Sequence, residues 1–249
     1  MRYFIELSYN GKAYHGWQIQ PNAISVQEVL EKALSVIFKI KISIVGAGRT
    51  DSGVHSKQIF AHFDTKNLID VEETVYKLNA LLPKDIAVYT IFRVSNESHA
   101  RFNATSRSYV YRLSPKKDAF NTCFAYYFKP KLDVNAMNKA AELLIGFKDF
   151  ECFSKSNTDV FTYNCDLRIA EWKIVDNELH FFITADRFLR NMVRAIVGTL
   201  INVGIGKLQP EDMTKILASK NRAEAGYSVP AHGLYLTEVV YPESIKNYE

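Results

Sequence analysis

The sequence predicts an α+β fold of two ferredoxin-like halves, residues 1–104 and 105–249. Three observations predict it. Apolar periodicity over the first half runs strand, helix, strand, strand, helix, strand, the order of a split β-α-β unit. Two helix starts carry their own punctuation, Ser25 with Glu28 and Asp70 with Glu73. The same order returns in the second half, with no repeat of the sequence itself. Two such halves can join their antiparallel sheets side by side and leave a central cleft.

Residues 2–9 alternate, with Tyr3, Ile5 and Leu7 on one side and Phe4, Glu6 and Ser8 on the other, as a strand does. A glycine-bearing loop with Tyr14-His15-Gly16-Trp17-Gln18 follows. The helix opened by Ser25 puts Val26, Val29, Leu30, Ala33, Leu34 and Ile37 on one face. Strands are expected at 42–46 and 58–64. The helix capped by Asp70 carries Val71, Val75, Leu78 and Leu82, and Pro83 ends it. A strand then alternates through Ile86, Val88, Thr90 and Phe92. In the second half, strands are expected at Ser106–Leu113, Leu167–Val175 and Glu178–Thr184, the last two joined by Asp176-Asn177. Helices are expected at Asp133–Ile145, 187–204 and 210–219, with a last strand at 234–241.

Hydrophobic content of 47% and charged content of 23% are those of an ordinary globular protein. Cys123, Cys152 and Cys165 are odd in number and widely spaced, so reduced, buried thiols are expected rather than a disulfide framework or zinc cluster. No signal peptide and no membrane-spanning apolar run are read, so a cytoplasmic protein is expected, without a membrane partner. The six histidines show no paired-ligand spacing, and no metal is expected.

The stretch most suggestive of chemistry is Gly46-Ala-Gly48-Arg49-Thr50-Asp51-Ser52-Gly53-Val54-His55-Ser56, between two strands. Three glycines around one carboxylate read as a loop shaped to present Asp51. It lacks the Gly-Lys-Ser/Thr ending of a phosphate loop and the spacing of a dinucleotide fingerprint. An ionised Asp at its centre would also repel a phosphate. Taken alone, the loop is equally a hairpin whose Asp and Ser satisfy backbone donors.

Positive charge has a place as well as a total of +4. Arg101, Arg107, Arg112, Lys116 and Lys117 cluster with no acidic residue from Ser98 through Lys117, interleaved with Phe102, Tyr109 and Tyr111. Cations meet phosphates and rings meet bases, so this composition suits unstacked nucleotides. A strand edge guarded by basic residues would look the same. Arg187, Arg190 and Arg194, at i, i+3 and i+7, would share one face of the helix expected from 187. An anionic partner or a simple surface stripe both fit that pattern.

These residues together resemble the TruA family of tRNA pseudouridine synthases. Gly48-Arg49-Thr50-Asp51-Ser52-Gly53-Val54-His55 is similar to its catalytic-loop motif. Tyr14-His15-Gly16-Trp17-Gln18 matches its N-terminal signature. His99-Ala100-Arg101-Phe102-Asn103-Ala104-Thr105 with Tyr109, then Phe188-Leu189-Arg190-Asn191-Met192-Val193-Arg194 with Gly198, then Gly233-Leu234-Tyr235-Leu236, match the later blocks in family order. Asn10, Lys12 and Ser108 stand where the family more often has Asp, Thr and a basic residue.

The resemblance implies the pseudouridine synthase fold and isomerisation of uridine to pseudouridine at positions 38, 39 and 40 of the tRNA anticodon stem-loop. It implies no cofactor, a tRNA partner and a homodimer. By the same resemblance Asp51 is the catalytic carboxylate, and Arg194 pairs with it. Tyr109 stacks on the target base, and Arg49 fills the space that base vacates or grips the adjacent backbone. Arg101, Arg107, Arg187 and Arg190 are the candidate RNA contacts. Two other classes stay open on the residues themselves: an RNA-binding protein without activity, and a small-molecule hydrolase with an Asp nucleophile.

Overall fold

The computed structural model describes residues 1–155 and 160–246. The chain divides into two compact units, Met1–Thr105 with Leu236–Glu249, and Ser106–Tyr235. Residues 236–246 thus lie with the first unit although they follow the second in sequence.

The first unit runs β1 (Arg2–Tyr9), α1 (Val26–Phe38), β2 (Ile44–Gly46), β3 (His55–Asp64), α2 (Val71–Leu81) and β4 (Ile86–Val94). Strand β1 is central, pairing antiparallel with β3 (Ile5 opposite Ala61) and with β4 (Phe4 opposite Phe92); β2 pairs antiparallel with β3. Both expected helix caps are made. Ser25 Oγ accepts from Glu28 N–H at 3.2 Å and Asp70 Oδ1 from Glu73 N–H at 2.9 Å. The Glu28 carboxylate does not reach back to complete a capping box; it pairs forward with Lys32 at 2.6 Å.

Two strand expectations change. The alternation through Ile86, Val88, Thr90 and Phe92 holds only to Val88, because the β1–β4 register shifts between Glu6 and Leu7. That irregularity turns the pattern over, so Ile91 and Val94 are buried beyond it. Phe4, expected on the polar side of β1, is fully buried. Tyr241 covers it edge-on at 5.3 Å and also meets Phe60 at 5.2 Å. The end of the chain therefore completes the core of the first unit. A helical turn, α6 (Glu243–Lys246), closes the described chain, and the rest of the C-terminal tail lies outside the described residues.

The second unit runs β5 (Ser106–Ser114), β6 (Tyr126–Tyr127), α3 (Val134–Glu142), β7 (Leu167–Val175), β8 (Glu178–Ala185), α4 (Met192–Gly204) and α5 (Asp212–Ser219). Strand β9 (Leu234–Val240) begins here and ends in the first unit. Strand β8 pairs antiparallel with β5 and β7, and β6 lies parallel to β5. Asp176 and Asn177 both hold positive φ, 50° and 65°, as a two-residue hairpin turn requires.

Helix α4 begins at Met192, not at 187. Asn191 sits at φ 67°, ψ 0°. A right-handed helix cannot continue through a left-handed residue. Arg187 and Arg190 therefore belong to the preceding loop and share no helical face with Arg194.

Candidate active site and RNA-facing residues

The Asp51 loop joins β2 to β3 and is shaped from outside itself. Val54 N–H donates to the Asp51 carbonyl at 3.1 Å, and Gly53 takes φ +80° within that turn. The segment from Tyr9 to Trp17 then fastens the loop residue by residue. Gly53 N–H donates to the Tyr14 carbonyl (3.2 Å), Trp17 N–H to the Thr50 carbonyl (3.3 Å) and Gly11 N–H to His55 Nδ1 (3.1 Å). Tyr9 and Thr50 share a hydroxyl hydrogen bond at 2.8 Å. Tyr14 is itself fixed by its hydroxyl donating to Asp85 at 2.6 Å.

The approach is too close for side chains. A Cβ on Gly16 would lie 2.3 Å from the Thr50 oxygen, and one on Gly11 would lie 2.0 Å from the Val54 oxygen. The Tyr14–Gln18 block, read from sequence only as a signature, is thus the brace of the carboxylate loop. The visible hint was a pair of glycines beside large aromatic residues, in a stretch with no apolar period. Of the loop's glycines, Gly53 is required by its φ and Gly46 by Trp17, whose indole would lie 2.4 Å from an added Cβ; Gly48 meets nothing within 4 Å. Asp51 is half-buried in this frame and Arg49 is exposed.

In the second unit, β5 carries Tyr109, half-buried, with its ring edge-to-face on Phe188 at 5.1 Å and 88°. Arg107, on the same strand, donates to the Asp186 carbonyl at 2.7 Å. Two members of the expected RNA-facing cluster are corrected. Tyr111 is fully buried, its hydroxyl donating to the Pro230 carbonyl at 2.8 Å, so it offers no ring to a base. Arg112 ion-pairs with Glu178 at 2.9 Å and lies over the Tyr235 ring. The acid absent from the sequence window arrives across the sheet, because Arg112 pairs with His180, two residues from Glu178.

Arg194, in the first turns of α4, is held by a reciprocal pair. Its Nε donates to the Val229 carbonyl at 2.7 Å, and Val229 N–H returns to the Arg194 carbonyl at 3.3 Å. The 222–229 segment is bound along the helix. Asn191 and Arg222 both donate to Ser228 Oγ, at 2.6 and 3.0 Å, and Gly226 N–H donates to Thr199 Oγ1 at 2.7 Å. Gly198 is obligatory, since a Cβ there would lie 1.8 Å from the Tyr227 oxygen. Arg187 donates to the Thr162 carbonyl at 3.1 Å, and Arg190 is exposed. Arg101 is exposed in the first unit, beside Phe102.

Among the described residues no group of three or more His, Cys, Asp or Glu is placed to hold a metal ion. His55 and His62 instead accept backbone N–H bonds from Gly11 and Ala100, both at 3.1 Å. None of the three cysteines is in a disulfide; Cys123 is half-buried, not buried as expected, and burial pushes the Cys152 and Cys165 thiols up to about 12. No helix among the described residues is long and apolar enough to cross a membrane.

The chain is thus two α+β units, the first holding Asp51 in a loop braced by a second segment. The family profile described as tRNA pseudouridine synthase matches residues 7–103 and 140–242, and the chain belongs to that family. It is 51% identical over 245 residues to tRNA pseudouridine synthase A of Parabacteroides distasonis, covering 98% of this chain and 97% of that protein. Identity is 50% over 246 residues to the protein of the same name from Bacteroides fragilis, with 98% of each chain covered. It is 42% over 245 residues to the one from Bacillus subtilis, with 97% of this chain and 99% of that one covered.

Proposed function

We propose that the protein isomerises uridine to pseudouridine at positions 38, 39 and 40 of the tRNA anticodon stem-loop, with Asp51 as its catalytic carboxylate. The observation that carries this reading is the Asp51 loop, where two of the family's signature blocks meet through backbone hydrogen bonds and glycine contacts. A hairpin that only closed a turn would not need a second segment laid on its backbone.

The reaction breaks the N1–C1′ bond, turns the uracil, joins C5 to C1′ and releases the C5 proton. Atoms and electrons balance within the nucleotide, so the reading calls for no cofactor. Asp51 acts ionised, either attacking C1′ or taking a ribose proton. The target base leaves the helical stack to be reached. Tyr109 stacks against that base, its own ring oriented by Phe188. Arg49, exposed at the loop, fills the vacated space or grips the adjacent backbone, and Arg194 binds the substrate. Arg101, Arg107, Arg187 and Arg190 contact RNA. The protein works in the cytoplasm as a homodimer.

The test is a map of pseudouridine in tRNA treated with the protein, by carbodiimide adducts and primer extension. Stops one nucleotide 3′ of positions 38, 39 and 40 are expected. Unmodified tRNA after full incubation, or stops confined elsewhere, sinks the proposal.

A further inference from the structure

The loop between β4 and β5 presents Phe102, a residue 75% exposed, yet its backbone is tied down at nearly every residue. Arg2 donates to the Ser98 carbonyl (2.9 Å), Ala100 N–H to His62 Nδ1 (3.1 Å) and the Tyr241 hydroxyl to the Ala100 carbonyl (2.6 Å). Asn103 closes the turn in both directions, accepting from His99 N–H at 2.5 Å and donating its own N–H to the His99 carbonyl at 3.0 Å. His99 Nδ1 accepts from both Arg101 N–H (3.1 Å) and Phe102 N–H (3.3 Å).

Beneath the ring runs a column of others. His99 lies 4.2 Å from Phe102 at 31°, His62 lies 4.7 Å from His99, and Phe4 lies 6.2 Å from His62 in the core. The Arg101 guanidinium carbon lies over the Phe102 ring, 5.7 Å from its centroid. Surface loops are ordinarily mobile, and an exposed phenyl ring adds nothing to folding. Holding one rigid, backed on one side and flanked by a cation, is preorganisation for a flat partner. The exposed Arg101 beside the ring suits a partner that is anionic. A nucleotide is both flat and anionic.

We propose that Phe102, backed by His99 and flanked by Arg101, is a stacking subsite for one unpaired base of the RNA substrate, separate from the target uridine. The subsite rests on the reading of the protein as tRNA-binding. The ring supplies the π-face and Arg101 the phosphate contact, a division that tolerates any base.

The experiment measures equilibrium binding of tRNA to the full-length protein as a function of salt, for wild type, Phe102→Ala, Phe102→Tyr and Arg101→Ala. Phe102→Ala is expected to weaken binding about five- to hundredfold at every salt concentration, with an unchanged salt slope. Phe102→Tyr is expected to bind within about threefold of wild type, since the ring is kept. Arg101→Ala is expected to reduce the salt slope by about one. Melting of Phe102→Ala at the wild-type temperature shows that folding is not the cause. Wild-type affinity in Phe102→Ala overturns the proposal. So does a change in oligomeric state, which would make the ring a contact between copies of the chain. If the wild type binds tRNA in this ring-dependent way but forms no pseudouridine, the subsite stands and the enzymatic reading fails.

Discussion

Glu178 accepts hydrogen bonds from Arg112, His180 and Asn121. Burial raises its pKa, but these donors outweigh burial and hold the carboxyl below its ordinary value. A depressed carboxyl pKa contributes stability above the unfolded value, about 4.3, and that stability is lost as pH falls through the folded value. Glu178→Gln is expected to cost about 1 kcal/mol at pH 7 and to flatten the loss of stability below about pH 4.3. Melting curves from pH 7 to 3 check both. At this scale the sequence was a partial guide. Asp51, Arg49 and Tyr109 were singled out by their loop, their charge and their family blocks. Arg112 and Tyr111 were misread because their partners, Glu178 and Pro230, are brought to them by strand pairing and chain return, which neighbours in sequence do not reveal.

The brace on the Asp51 loop is a property of an element. Gly16 holds φ +86° with the Thr50 oxygen 2.3 Å from where a Cβ would stand. Gly16→Ala is expected to push the 9–17 segment off the loop and lower kcat by about a hundredfold, the scale of loss from an ångström of misplacement. Steady-state rates with tRNA check it, and a wild-type kcat would mean the brace does not set the Asp51 geometry. Elements with local signals were legible. Side-chain caps placed α1 and α2, and Asp176-Asn177 placed the β7–β8 turn. The start of α4 was not, since Phe-Leu-Arg-Asn reads as helix and only the left-handed Asn191 stops it. The Tyr14–Gln18 brace escaped because it has neither period nor cap, only contacts with a loop far along the chain.

For the whole chain, the order of strands and helices was legible apart from the short β6, while the return of 236–246 to the first unit was not, because it depends on Tyr241 covering Phe4 and Phe60. The same core governs a pH limit. Burial first, then Arg2 and His99, lowers the His62 pKa from 6.5 to about 4. Between those values the unfolded chain binds a proton that the folded one refuses, so stability falls as pH drops from 6.5 to about 4. His62→Asn keeps an acceptor for Ala100 N–H and is expected to remove that part of the slope in chemical denaturation. The central claim concerns Asp51, and the most direct measurement is tritium release from tRNA labelled at C5 of uridine, wild type beside Asp51→Asn. Expected is release by the wild type and a loss of about a thousandfold or more in the variant, with tRNA affinity within about threefold. Release by Asp51→Asn at the wild-type rate, or a loss of affinity as large as the loss of rate, would contradict the role assigned to Asp51.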